Sequence, residues 1–178
     1  ILIKNLTKIQ MSKLQLLTAL REFDFPTNRS RKNVLNTGQS GYKGFVLGKI
    51  NNWAHTVEKY GKPKIDLSRQ TKQEKYKSIY ELAKNVMKKH NPNFKFSTIQ
   101  FNKNHKSAKH IDAKNATDSY ILGLGDYTGG ELRIWSEDGK THTDKNIKNR
   151  WLRFNGAKHY HQTLPFKGER YTLVFYSI

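Results

Sequence analysis

Two short stretches hold side chains whose types and spacing could do chemistry. HKSAKHIDAKN (105–115) sets His110 two residues before Asp112, and KHYHQTLPFKGERYTLVFYSI (158–178) sets His159 and His161 ahead of Arg170 and Thr172. On an extended chain residues i and i+2 share a side, so His110 and Asp112 offer an imidazole and a carboxylate together. Such a pair alone is a common surface pattern, and a second imidazole is what turns it into a ligand set. Two imidazoles and one carboxylate on one face of iron(II) leave the other coordination positions open. Either His159 or His161 could supply the second imidazole, since they also stand two apart. Arg170 and Thr172 make a different pair. A guanidinium with a hydroxyl on the same strand face can bind a carboxylate in two-pronged fashion and add a hydrogen bond.

Taken together, HIDAKN, SYILGLGDYTGGEL (119–132) and H-x-x-x-P-F-x-G-E-R-Y (161–171) resemble the iron(II)/2-oxoglutarate-dependent dioxygenases from about Phe96 to Ser177. The resemblance implies a double-stranded β-helix, or jelly roll, that binds iron(II), 2-oxoglutarate as co-substrate and dioxygen, with ascorbate as a reductant. It makes His110, Asp112 and His161 the metal ligands and Arg170 with Thr172 the anchor of the distal carboxylate. His161 is preferred to His159 because its spacing to Pro165 and Arg170 matches that family, which leaves His159 as a substrate contact. Gln100 and Asn102, on the preceding strand, are candidates for the other carboxylate of the co-substrate. Asp112 favours hydroxylation, because halogenating relatives lack that carboxylate. Within the superfamily the chain is most similar to the TET/JBP-like branch and related viral and algal proteins. That likeness implies oxidation of the methyl group of thymine or 5-methylcytosine in DNA or RNA. A prolyl or lysyl hydroxylase of the same superfamily and a non-catalytic basic nucleic-acid-binding module are the competing readings.

Charge bears on the partner. The chain has 33 Lys plus Arg against 14 Asp plus Glu, a net charge of +19, and a basic surface gains affinity for polyanions by releasing their counterions. The excess lies mostly in residues 1–100, with 20 basic and 6 acidic side chains. There the loop around Arg29, Arg31 and Lys32, followed by Tyr42, Phe45 and Trp53, has the basic and aromatic composition that holds an extruded base. Asn115 stands close enough to Asp112 in sequence to reach the same substrate. His105 and His142 read as exposed loop residues.

These groups need a scaffold, and 178 residues suffice for a single domain with a real core. The expected class is α+β, a jelly-roll core over 94–178 with N-terminal helices packed against it and a helical, basic support over 1–93. TKIQMSKLQLLTALRE (7–22) has helical spacing at Ile9, Leu14, Leu17 and Leu20, and 71–90 has it at Tyr76, Ile79, Tyr80, Ala83, Val86 and Met87. A short strand is expected at 44–50. From Phe94 the period falls to two, predicting strands in FKFSTIQFN, SYILGLGDY, ELRIW, RWLRFNG and RYTLVFYSI. GLGDYTGGELRIW (123–135) is one residue off a dinucleotide fingerprint. It runs into a strand rather than a helix, so Thr128–Gly130 is expected to be a hairpin turn, with Asp126 and Tyr127 shaping it. There are no cysteines, so any metal is held by His, Asp or Glu. With no apolar run of about 20 residues and no signal-peptide pattern, the expectation is a soluble intracellular protein without a membrane partner.

Overall fold

The computed structural model describes residues 6–57 and 61–178. Helix α1 spans Lys8–Glu22, opened by a capping box in which Thr7 accepts from the Gln10 backbone N–H while the Gln10 side chain accepts from that of Thr7. Its buried stripe differs from the expected one. Ser12, Leu16 and Leu20 face inward with Leu17 at their edge, and Ile9 and Leu14 are exposed. A polar residue inside the stripe hid this row of i, i+4 and i+8; Ser12 is tolerated because its hydroxyl donates to the Ile9 carbonyl at 2.7 Å. Helix α2, Lys77–His90, starts later than the expected 71, after a 3-10 turn over Glu74–Tyr76, but buries Ile79, Ala83, Val86 and Met87 and stops at Asn91 before Pro92 as its spacing predicts. No helix among the described residues is long and apolar enough to cross a membrane.

The strands in chain order are β1 (Thr27–Asn28), β2 (Tyr42–Val57), β3 (Lys62–Leu67), β4 (Thr98–Lys103), β5 (Ser119–Leu124), β6 (Tyr127–Gly129), β7 (Leu132–Trp135), β8 (His142–Lys145), β9 (Trp151–Phe154), β10 (His161–Thr163), β11 (Phe166–Gly168) and β12 (Tyr171–Tyr176). The major sheet runs β1-β2-β4-β12-β5-β9, with β3 added to β2, and every pairing in it is antiparallel. A smaller sheet runs β10-β7-β8, and β11 pairs with β6. The first hundred residues are therefore more than helical support, since β1 and β2 belong to the major sheet.

Strand alternation sorts that sheet into two faces. Ile99 and Phe101, Leu122 and Leu124, and Tyr171, Leu173 and Phe175 join one core cluster with the buried faces of α1 and α2. Their neighbours Gln100, Asn102, Ile121, Thr172, Val174 and Tyr176 point the other way and line a cavity. An uninterrupted period of two thus gives an apolar layer under the helices and a polar wall behind it.

Two departures from expectation shape the cavity. Strand β2 is far longer than 44–50: it pairs with β4 through Gly48, then continues against β3 as an arm whose Lys49, Ile50, Asn51 and Trp53 reach the cavity. Gly48 permits the divergence, since at φ +102° a Cβ there would fall 2.2 Å from the Ser97 carbonyl. Thr128–Gly130 is not a hairpin turn. β5 and β7 do not pair with each other, and β6 is a strand on β11, so this segment carries the chain from the major sheet to the smaller one.

Candidate metal centre and carboxylate anchor

His110 and His161 face each other across an isolated antiparallel bridge, each backbone N–H donating to the other's carbonyl at 3.0 and 2.9 Å. Their rings lie 4.3 Å apart between centroids. His110 Nδ1 is 2.7 Å from the Ala108 carbonyl and His161 Nδ1 is 2.9 Å from the His159 carbonyl. A carbonyl only accepts, so both Nδ1 atoms carry hydrogen, and each neutral ring keeps its Nε2 lone pair for a ligand. Asp112 is placed by its N–H bond to the Gly156 carbonyl, with Oδ1 3.6 Å from His110 Nε2 and Oδ2 3.3 Å from His161 Nε2. One ligand atom from each of the three residues falls within 4.8 Å of the others. Burial, aided by His161, pushes the His110 imidazole down to about 4, so it is neutral at physiological pH. Burial works to raise the Asp112 carboxyl, but the surrounding His161, Arg31 and His110 side chains outweigh it and hold the group well below the usual carboxylate range. Two imidazole nitrogens and an ionised oxygen converging on one point fit a first-row divalent cation.

Arg170 stands just before β12 on the cavity face and is 2% exposed. Its Nη2 donates to the Gly130 carbonyl at 2.9 Å, while its Nε is buried without a hydrogen-bond partner. Among the described residues no carboxylate pairs with it, and burial lowers its pKa. A buried cation without a counter-ion is costly, and a carboxylate-bearing ligand would relieve it. Thr172 lines the same cavity. Its hydroxyl oxygen accepts from Asn102 Nδ2 at 3.0 Å, which leaves its own hydrogen to donate. The expected turn residue Tyr127 is instead buried against Arg170, its hydroxyl also unpartnered. Gly130 has to lack a side chain here, since at φ +69° a Cβ would sit 2.7 Å from Arg170 Nε.

His110, Asp112 and His161 and the Arg170–Thr172 pair open into one cavity of about 740 Å³. Gln100 and Asn102 line it, joined by a 3.0 Å hydrogen bond from Gln100 Nε2 to Asn102 Oδ1. Arg31, Lys32 and Asn115 line it too, and Arg31 Nη2 donates to Asp112 Oδ1 at 2.5 Å. Arg29 is exposed and outside the cavity lining. His159 is also outside: its Nδ1 bonds the Trp135 carbonyl at 2.8 Å, because it lies in the turn before β10 and strand alternation does not carry it to the side of His161. Phe45 is core, not a base-stacking group. His105 is not an exposed loop residue but a buried part of the cavity wall, whereas His142 is exposed as expected but on strand β8, paired with Trp135, rather than in a loop. Sequence reasoning missed His105, the contact of Tyr127 with Arg170, and the ion pair of Arg31 with Asp112. For His105 the available signal was its place on the short link between a cavity-facing strand and the H-x-D pair.

No protein-family model matches the chain, and no curated protein matches it in sequence. Solved structures match it in fold. An oxidoreductase of the 2OG-Fe(II) oxygenase family from Burkholderia pseudomallei superposes with TM-score 0.57 at 14% identity, covering 95% of this chain and 78% of that one. A prolyl hydroxylase from Trichoplax adhaerens, in complex with a hypoxia inducible factor peptide fragment, gives 0.56 at 14% identity over 96% and 78%. NgTET1 in complex with 5mC DNA gives 0.53 at 14% identity over 97% and 69%. The chain thus has the fold seen in 2OG-Fe(II) oxygenases.

Proposed function

We propose that this chain is an iron(II)- and 2-oxoglutarate-dependent dioxygenase that hydroxylates a C–H bond, its substrate the methyl group of thymine or 5-methylcytosine in nucleic acid. The observation that carries the chemistry is one cavity holding both a two-histidine, one-carboxylate cluster and a buried guanidinium with no counter-ion. Iron(II) and 2-oxoglutarate, when bound, supply the activation of dioxygen for insertion into a C–H bond, with succinate and carbon dioxide as co-products. The chain's own part is to hold and orient. His110, Asp112 and His161 present the metal donors; Arg170 and Thr172 take the distal carboxylate; Ile121, Leu132 and Val174 give the cavity apolar walls that keep water away from the reacting groups. The double-stranded β-helix reading of the two sheets belongs to the same proposal.

For the substrate, the support is the cavity rim. Lys32, Lys49 and Lys114 surround its mouth with Arg31, and Trp53, 49% exposed, carries the Lys114 ammonium 3.6 Å from its ring centroid. A planar base can take the place of that ammonium on the indole while Lys114 turns to a phosphate. Hydroxylation of a peptide side chain is the second reading, favoured by the equally good fit to the peptide-bound prolyl hydroxylase.

The test loads the protein anaerobically with iron(II) and 2-oxoglutarate, admits oxygen in the presence of DNA or RNA, and follows succinate and digested nucleosides by mass spectrometry. An oxidised nucleoside formed with succinate, and lost in His110→Ala, is the expected result. Succinate without any new nucleoside overturns the nucleic-acid reading. Absence of succinate under every condition overturns the oxygenase reading as well.

A further inference from the structure

Inside the cavity a second polar side chain besides Arg170 has bonding capacity that the fold leaves unused. His105 is 6% exposed, lines the cavity wall, and its Nε2 is buried without a hydrogen-bond partner. Leaving such a group unpaired is unfavourable, and native interiors seldom do so without a ligand, water or strain to account for it. Its neighbour Asn104 is bonded to the Arg170 backbone, and Ser107, two residues on, is bonded to Thr163 on the strand that begins at His161, which puts the His105 segment between the guanidinium and the metal cluster. Burial pushes the His105 imidazole down to about 4, so at physiological pH it is a neutral ring with one N–H to donate. It can bind a carboxylate without adding another cation to a cavity that already holds two arginines.

The backbone around His105 is over-determined in a way that a solvated loop would not need. The ring stacks on Tyr42 at 4.2 Å and 18°, and the Tyr42 hydroxyl in turn accepts from Gln100 Nε2 at 3.3 Å. Its neighbour Asn104 adopts φ +48°, a left-handed conformation uncommon for a residue other than glycine. Asn104 is also tied twice to the carboxylate anchor. Its N–H donates to the Arg170 carbonyl at 2.7 Å, and its Oδ1 accepts from the Arg170 N–H at 2.8 Å. Beyond His105, the Lys106 carbonyl accepts from Asn36 Nδ2 at 2.7 Å, and the Ser107 and Thr163 hydroxyls pair at 2.9 Å. Strained backbone held from both sides is where positioning groups are found.

From this placement we infer that His105 is a positioning residue for the 2-oxo acid co-substrate, donating a ring hydrogen bond to its metal-end carboxylate while Arg170 holds the other end. The inference rests on the oxygenase reading and deepens it. It makes the cavity selective for a dicarboxylate of matching length over a monocarboxylate. Arg170 and His105 are kept at a set separation by the two hydrogen bonds of Asn104.

Calorimetric titration of 2-oxoglutarate into the manganese(II)-loaded protein tests this without turnover. His105→Phe keeps a ring against Tyr42 and removes both nitrogens; His105→Leu removes them without the ring; His105→Gln restores a donor. The phenylalanine and leucine variants should bind 2-oxoglutarate about ten- to a hundredfold more weakly, the usual worth of a hydrogen bond to a charged group. Their manganese affinity should stay within about twofold of wild type, and the glutamine variant should recover most of the loss. Equal binding by wild type and the phenylalanine variant overturns the role of His105 alone, as does failure of glutamine to recover any affinity. If the wild-type protein binds manganese but no 2-oxoglutarate, the reading of the whole site falls, which is a distinct result.

Discussion

Arg170→Met separates what the anchor does for a ligand from what it does to the fold. The guanidinium is 2% exposed, unpaired with any carboxylate among the described residues, and has an orphaned Nε. Replacing a buried ion pair by apolar side chains of similar volume is often neutral or stabilising by about 1–4 kcal/mol, and a lone buried charge is costlier still. Against this stand the hydrogen bond to the Gly130 carbonyl, worth roughly 1.5–3 kcal/mol for a charged donor. The Tyr127 and Phe166 rings, 5.5 and 5.4 Å from Arg170 Cζ, oppose the change by a smaller cation–π contribution. Unpaired burial costs more than the ion-pair reference, so the ligand-free variant should equal wild type or exceed it by about 1–2 kcal/mol. That is a rise in Tm of about 2–8 °C for a chain of this size. With metal present throughout and 2-oxoglutarate at about a hundred times the wild-type Kd, 2-oxoglutarate adds about 2.7 kcal/mol to wild type and nothing to the variant, so the order of stability reverses. Differential scanning calorimetry with and without 2-oxoglutarate reads both halves. A variant that melts well below wild type when ligand-free, or that keeps its 2-oxoglutarate shift, refutes the account of Arg170 as a cation waiting for a carboxylate.

Three further perturbations follow from single contacts. In Gly130→Ala the new Cβ meets Arg170 Nε at 2.7 Å at φ +69°, so it should weaken 2-oxoglutarate binding about tenfold or more as well as cost about 1–2 kcal/mol of stability; Gly139→Ala, at φ +70° in open space, should show the stability loss without the binding loss. Arg31→Gln removes the cation beside Asp112 Oδ1 and should tighten manganese binding about tenfold in a metal titration, weaker binding being the refuting result. Below pH 6.5 the metal-free protein should lose stability, because the unfolded chain protonates His105 at its ordinary value while the folded chain resists until about 4. The contribution is complete above 6.5 and lost by about 4, so His105→Phe should flatten urea-derived stability across that window by about 2–3 kcal/mol.

How much of this could be read from the sequence depended on whether the information was local. Strand alternation is local, so 98–103 and 171–176 already sorted Ile99, Phe101, Leu173 and Phe175 from Gln100, Asn102 and Thr172, and the cavity wall followed. The i, i+2 rule placed His110 with Asp112 for the same reason. It failed for His159, because the rule needs a continuous strand and the chain at 156–159 is still turning. The glycines of 123–130 were conspicuous, but their cause is tertiary: Gly123 makes room for the Tyr127 hydroxyl and the Ile147 carbonyl, and Gly130 for the Arg170 guanidinium. A turn and a close approach leave the same mark in a sequence.

What stayed hidden belongs to contacts between distant parts of the chain, and these close the site. Arg31 reaches Asp112 across 81 positions, and Tyr42 meets Gln100 across 58. Both N-terminal residues arrive because β1 and β2 extend the major sheet past β4, setting the basic loop against the mouth of the cavity. The basic excess of the first hundred residues, legible only as composition, thus becomes a placed charge: one arginine on the Asp112 carboxylate and several lysines lining the cavity. This coupling means that the N-terminal segment cannot be regarded as a detachable nucleic-acid grip on an independent catalytic half. Removing it would strip the stacking ring from His105 and strands β1, β2 and β3 from the sheet that carries Arg170, so co-substrate affinity should fall with nucleic-acid affinity rather than survive it.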